Sequence, residues 1–390
     1  GLDLLIAEAA AQGAEGDALA AGAIQNPSVT GGYYHSFFQP DNAFDTHNGW
    51  FVGLGDSNAI VDTLSGKRGL RHNVADAALA AARLGRADAQ RTLELQVKQT
   101  YFLAVAAGAA LEFARETADS TAHTFNLNQI RYKSGAISEV DLSRTETAKL
   151  EAEQAVDAAT LALRNAKVQL AFLLGQRHAF NDFSIDASQL RFATPAALSN
   201  ATVATLVDRA IQARPDLRAQ ENQRIRAAQA VSLAHRQRFP DIGLSAQYSE
   251  QGTGMGAISP PTLEIALTGS LPLFYQQQGE IKKAEADART QDAQAAKLRA
   301  QVVADVENAF AGYQTSQRQV QRMEGRLLDR ARRARELVEL QYQKGAASLL
   351  EFLDAQRTYV TTKGEYIQEL TAYWDAIFQI ESATATGVVQ

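Results

Sequence analysis

The feature that most constrains this chain is a short segment that it carries twice, about half its length apart. Arg131-Tyr132-Lys133-Ser134-Gly135-Ala136-Ile137-Ser138 aligns with Gln341-Tyr342-Gln343-Lys344-Gly345-Ala346-Ala347-Ser348 at a shift of 210 positions, and tyrosine, glycine, alanine and serine fall at matching places. An acid follows six residues after each glycine, as Asp141 and Glu351. Pro27 and Pro240, and Gly66 and Gly279, repeat at a shift of 213. A period of this size predicts two similar halves, a tandem duplication rather than two unrelated domains.

Each half reads as helix, β-hairpin, long helix, tip and return helix. The first repeat, 1–175, holds a helix over 2–22, a β-hairpin over 26–58, a long proline-free helix over 67–132, a tip at 133–138 and a return helix over 139–174. An irregular connector covers 176–203. The second repeat, 204–390, holds helices over 204–238, a β-hairpin over 239–275, a long helix over 279–342, a tip at 343–348 and a return helix over 349–384. The hairpin strands alternate, as Ile242, Leu244, Ala246 and Tyr248 do against Gly243, Ser245, Gln247 and Ser249, which is the period of a pleated strand. Gly135 and Gly345 permit the helix reversals.

The lengths carry information. At 1.5 Å per residue the helix over 67–132 spans about 100 Å, the return helix about 54 Å and the opening helix about 32 Å. One long helix beside two stacked shorter ones predicts a rod, with the tip at one end and the hairpin at the other. Each β segment is long enough to cross a bilayer at a tilt. Four strands cannot close a barrel, and open edges are not tolerated in lipid. The hairpins therefore belong either to a barrel shared between chains or to a small soluble sheet capping a helical rod.

Composition narrows the chemistry. Of 390 residues, 46% are hydrophobic, only 7% aromatic and 8 are proline, a profile of long helices packed through small side chains. There is no cysteine, which excludes disulfides and thiolate chemistry within the chain. The net charge of −6 argues against nucleic acid as a partner. No run of about 18 apolar residues is present to form a transmembrane helix. The opening Gly1-Leu2-Asp3 has no basic or apolar leader character, which fits a removed signal peptide as well as none.

Taken together, the duplicated Tyr-x-x-Gly tips, the strand starts Asn26-Pro27 and Phe239-Pro240, the exit Leu271-Pro272-Leu273-Phe274, and Gly66 and Gly279 opening the long helices resemble the TolC family of outer-membrane efflux factors. The resemblance covers essentially the whole chain. It implies a homotrimer in which four strands per chain build a shared twelve-stranded transmembrane β-barrel. It also implies a periplasmic α-barrel of twelve helices, with an equatorial belt from 176–203 and the C-terminal end. The implied partners are a periplasmic adaptor docking at the tips, an inner-membrane pump and outer-membrane lipid. Gly66-Lys67-Arg68 with Arg71 resembles the heavy-metal cation efflux branch. Ala136 and Ala346 replace the leucine often found after the glycine, and Gln341 stands where the first copy keeps Arg131.

Three acids become aperture candidates on this reading: Asp141, and Glu351 with Asp354 on one helix face. In a threefold channel each inward carboxylate forms a ring that favours cations. Crowding of like charges predicts raised pKa values and a pH-sensitive gate. The alternative role is to complement the helix dipole. Arg131, Tyr132, Gly135, Ala136, Ser138, Tyr342, Gly345, Ala346 and Ser348 form the expected adaptor-docking tips. Tyr33, Phe37 and Trp50, with Tyr34 and Phe38, fit an interfacial aromatic girdle. His35 and His47 flank the first hairpin loop. The six histidines show no metal-ligand spacing, and no cofactor is expected.

No enzyme constellation is present. Gly252-x-Gly254-x-Gly256 lacks the strand–turn–helix context of a nucleotide fingerprint. The function expected is a passive exit duct for metal cations. The alternatives are the same duct serving multidrug or type I protein export, and a soluble helical-rod scaffold.

Overall fold

Alanine-rich, proline-free sequence folds as helix over most of the chain. The computed structural model describes residues 1–37, 48–178, 180, 182–251, 260–270 and 272–388. The helices are α1 (Leu2–Gly22), α2 (Ala59–Leu64), α3 (Lys67–Lys133), α4 (Glu139–Leu173), α5 (Val203–Ala213), α6 (Pro215–Arg236), α7 (Gln278–Arg322), α8 (Leu328–Gln343) and α9 (Leu349–Thr384). The strands are β1 (Ser28–His35), β2 (Asn48–Gly55), β3 (Ile242–Gln251) and β4 (Thr262–Gly269). His47, Phe38, the Gly252–Gly256 run and Leu271 lie outside the described residues.

Two compact units are present. One comprises Gly1–Ile6, Ala87–Pro215 and Arg299–Gln390; the other comprises Ala7–Arg86 and Asp216–Leu298. The second unit carries all four strands in one antiparallel sheet of order β1-β2-β3-β4. Register sorts its side chains. Val29 opposes Leu54, Tyr33 opposes Trp50, Val52 opposes Tyr248, Leu54 opposes Ala246, and Tyr248 opposes Leu263. Since directly opposed residues share a face, one face is mostly apolar, with His35, Asn48 and Glu250 as its polar residues near the loop end. The other carries Ser28, Thr30, Ser245, Gln247, Ser249, Glu264 and Thr268. Val29, Leu54, Leu263, Ile265 and Leu267 are exposed. Among the described residues β1 and β4 each pair on one side alone, which leaves both edges of this sheet open.

Buried charge ties this sheet to its helices. Lys67 is buried, and its Nζ donates to the Phe239 carbonyl and to Asp241 Oδ1, both at 2.7 Å. Arg68 Nε donates to the Gly22 carbonyl at 2.7 Å, and Arg71 forks onto buried Asp62. The Gly66-Lys67-Arg68 motif therefore acts as a clamp at the start of α3. The short α2 falls between the expected hairpin and long helix, where the sequence reading placed no element. Asp56 explains it: its carboxylate accepts from the backbone N–H groups of Asn58, Ile60 and Leu244, starting α2 and pinning it to β3.

In the first unit, one apolar core joins α5, α7 and α9 to the connector and the C-terminal end. Leu198, Leu206, Val302, Val306, Ile377, Ile380 and Val388 belong to it. Burying each such side chain contributes about 1.5–3 kcal/mol. Tyr373 and Trp374 of α9 donate to the carbonyls of Ala193 and Arg191 at 3.1 and 3.0 Å, so the irregular connector finds its polar partners on the core aromatics. The helix expected to run unbroken over 279–342 contains a π-helical turn at Met323–Leu327. Gly325, the weakest helix former of that stretch, sits inside it.

Candidate functional site: the two helix tips

Both tips close with the same backbone. Gly135 and Gly345 take φ of +76° and +79°, a left-handed conformation that costs glycine little. Ala136 N–H reaches back to Arg131 O at 2.8 Å and Gly135 N–H to Tyr132 O at 2.9 Å. Ala346 and Gly345 repeat this onto Gln341 and Tyr342 at 2.8 and 3.1 Å. This paired bonding satisfies the last carbonyls of a helix. Ser138 and Ser348 then turn extended and cap the return helices.

The caps decide what two of the acids do. Ser138 Oγ accepts from Asp141 N–H at 3.1 Å and donates to Asp141 Oδ2 at 2.9 Å. Ser348 forms a reciprocal capping box: Glu351 Oε2 accepts from Ser348 N–H at 2.7 Å, while Ser348 Oγ accepts from Glu351 N–H at 3.3 Å. The Ser348 backbone N–H and hydroxyl hold the Glu351 carboxyl below its usual range. This direction opposes the rise expected from like-charge crowding. Asp354, one turn further on, is exposed and makes no hydrogen bond or ion pair among the described residues.

The tips of one chain also meet each other. Arg131 Nη2 donates to the Gln343 carbonyl at 3.2 Å, and its guanidinium lies 5.2 Å from the centre of the Tyr342 ring. Tyr342 stacks on Phe352 at 5.4 Å and donates its hydroxyl to Asn128 Oδ1 at 2.7 Å. Asn128 is fully buried and its Nδ2 has no partner among the described residues. Tyr342 is 7% exposed, whereas its counterpart Tyr132 is 40% exposed. Sequence reasoning missed Asn128 and Phe352. A comparison of the copies position by position holds the signal, because Asn128 and Phe352 stand against Val338 and Leu142.

The expected girdle residues are placed apart from the tips. Tyr33 and Trp50 face each other at the loop end of β1 and β2. Phe37 is exposed and packs edge-on against His35 at 5.1 Å, while Trp50 lies 5.4 Å from Tyr248. His35 Nδ1 contacts Asn48 Oδ1 at 2.8 Å, a bond within the hairpin. A second group of exposed aromatics, Phe239, Phe274 and Tyr275, lies at the helix-side end of the sheet and was not singled out from sequence as a girdle. Among the described residues no group of three or more His, Cys, Asp or Glu side chains could hold a metal ion. No helix there is long and apolar enough to cross a membrane, which says nothing of a β-barrel.

The sequence profile of outer membrane efflux proteins matches residues 2–176 and 206–386. The chain belongs to the outer membrane efflux protein family. Its location is accordingly the outer membrane of Gram-negative bacteria, reaching into the periplasm, and a soluble scaffold is not what this family provides. The chain is 25% identical over 324 residues to the cobalt-zinc-cadmium resistance protein CzcC of Cupriavidus metallidurans, covering 82% of this chain and 73% of that one. It is 24% identical over 318 residues to the pyoverdine export outer membrane protein OpmQ of Pseudomonas aeruginosa, covering 79% of this chain and 64% of that one. The crystal structure of the outer membrane protein VceC from Vibrio cholerae superposes with a TM-score of 0.79 at 21% identity, covering 100% of this chain and 94% of that one. The last likeness concerns the fold.

Proposed function

We propose that three copies of this chain share one twelve-stranded barrel and form the passive exit duct of a tripartite efflux system, fed by an inner-membrane pump through a periplasmic adaptor. The observation that carries the reading is the sheet: one mostly apolar face, one polar face and two open edges in a single chain of an outer-membrane family. Lipid does not tolerate an open edge, and closure between copies removes it. The internal twofold repeat supplies two helix tips per chain, hence six per trimer, as the adaptor's docking ring. Size-exclusion of the detergent-extracted protein followed by planar-bilayer conductance tests this. A conducting trimer supports it, and a detergent-independent monomer without conductance contradicts it.

Metal cations are the cargo we favour, on two grounds: the similarity to CzcC and the carboxylates beside the tips. Asp354 is the strongest ring-forming candidate because its carboxylate is uncommitted. Replacing Glu351 and Asp354 by alanine then changes conductance and its block by divalent cations; unchanged values rule out the aperture. The similarity to OpmQ favours a second reading, an organic cargo through the same duct. Efflux assays with zinc salts and with a siderophore separate the two.

A further inference from the structure

We propose that the cleft between the end of α6 and the start of α7 binds the headgroup of an anionic glycerophospholipid in the periplasmic leaflet. The inference rests on the bilayer placement of the sheet. The cleft holds about 490 Å³ and is lined by His235, Arg238, Ile281, Lys282, Glu285 and Arg289. Lys282 and Arg289 are seven residues apart on α7 and so share a face; neither makes a hydrogen bond or ion pair among the described residues. Arg238 spends one donor on the neutral Gln276 Oε1 at 3.0 Å, which leaves its charge uncompensated. The one lining acid, Glu285, lies 3.8 Å from His235 Nε2. Three basic side chains thus face one carboxylate.

Position names the ligand. α6 ends at Arg236 just before β3 begins, and α7 starts at Gln278 just after β4 ends. The cleft therefore lies against the helix-side end of the sheet, at the level of a lipid headgroup. Exposed apolar side chains lie beside it: Leu273 is 73% and Phe274 97% exposed, and Arg236 covers the ring of Phe239 at 5.6 Å. Cations beside such a belt suit a phosphodiester whose acyl chains run along the sheet. A small free anion has no use for the apolar flank.

The cleft between α1 and α3 is the control that the duplication provides. It holds about 680 Å³, but its lining includes the acids Glu15 and Asp76. Its Arg68 is committed to the Gly22 carbonyl, and its His72 lies 3.3 Å from Asp76. The cation excess belongs to the second cleft alone.

Native mass spectrometry of the full chain, extracted in mild detergent and titrated with phosphatidylglycerol, phosphatidylcholine or inorganic phosphate, tests the proposal. Wild type retains phosphatidylglycerol over phosphatidylcholine. Lys282→Gln with Arg289→Gln removes two cations, each worth roughly 1 kcal/mol near a lipid surface, and so lowers that preference by about thirtyfold. Lys282→Arg and the distant Lys297→Gln keep it. An unchanged preference in the double variant overturns the site. Displacement of phosphatidylglycerol by equimolar phosphate overturns the lipid assignment. Protein that carries no lipid of any class contradicts the placement of the sheet in the bilayer instead.

Discussion

Tip one (133–138) and tip two (343–348) turn on a left-handed glycine, reverse through the same pair of backbone hydrogen bonds and restart on a capping serine, but their tyrosines meet different surroundings. Tyr342 is buried between Phe352, Arg131 and Asn128, whereas Tyr132 stays 40% exposed. The two tips share the residues that dictate backbone and differ at the flanking helix positions. Asn128 opposite Val338, and Phe352 opposite Leu142, are enough to make one tip an anchor and to leave the other open to a neighbour. In the proposed trimer, that neighbour is another copy or the adaptor.

The comparison breaks most severely at Tyr342. Tyr342→Ala removes a buried aromatic and orphans Asn128, a loss of about 3–5 kcal/mol in local stability. Tyr132→Ala costs under about 1 kcal/mol in the isolated chain. Hydrogen exchange over α8 and α9 reads the difference, and equal losses at both tips contradict the anchor. Tyr342→Phe keeps the ring and removes the hydroxyl, leaving Asn128 without its bond; about 1–3 kcal/mol is expected, against no change for Tyr132→Phe.

The caps give smaller effects. Ser348→Ala and Ser138→Ala each cost about 1 kcal/mol, with Ser348 the larger because its box is reciprocal, as exchange in the first turns of α9 and α4 will report. The pH response sharpens this. Glu351 titrates below its ordinary value because Ser348 donates to its carboxylate. Its contribution is therefore fully present above the unfolded value and lost as pH falls through the lower folded one. Protection at tip two, with the intrinsic pH dependence of amide exchange divided out, stays constant from about pH 7 to 5 and falls only in stronger acid; Glu351→Gln abolishes the transition. A transition above pH 5 would mean that crowding by carboxylates of neighbouring copies overrides the cap.

Much of the fold was legible because its signals are local. Proline-free alanine-rich runs, the glycines just past the ends of α3, α4 and α8, and period-two strands require no tertiary information. Ser-x-x-Asp at 138–141 and Ser-x-x-Glu at 348–351 were equally legible as caps, although the family resemblance drew attention to the aperture role. Less local features were hidden. The π turn at Met323–Leu327 has only Gly325 as a hint. Burial of Tyr342 depends on Asn128, 214 residues away. The basic cleft joins Arg238 to Lys282 and Arg289 across β3 and β4.

The central claim is that copies of this chain close one sheet between them. The chain has no cysteine, so one cysteine on β1 between residues 29 and 33, paired with one on β4 between 263 and 267, reports closure directly. Within a chain β2 and β3 separate these edges by about 14 Å, beyond disulfide reach. Oxidation of membranes carrying a scan of such pairs should yield covalent trimers at three times the 42.1 kDa chain mass. Monomer alone at every pair, from protein whose sheet is intact, would contradict the account.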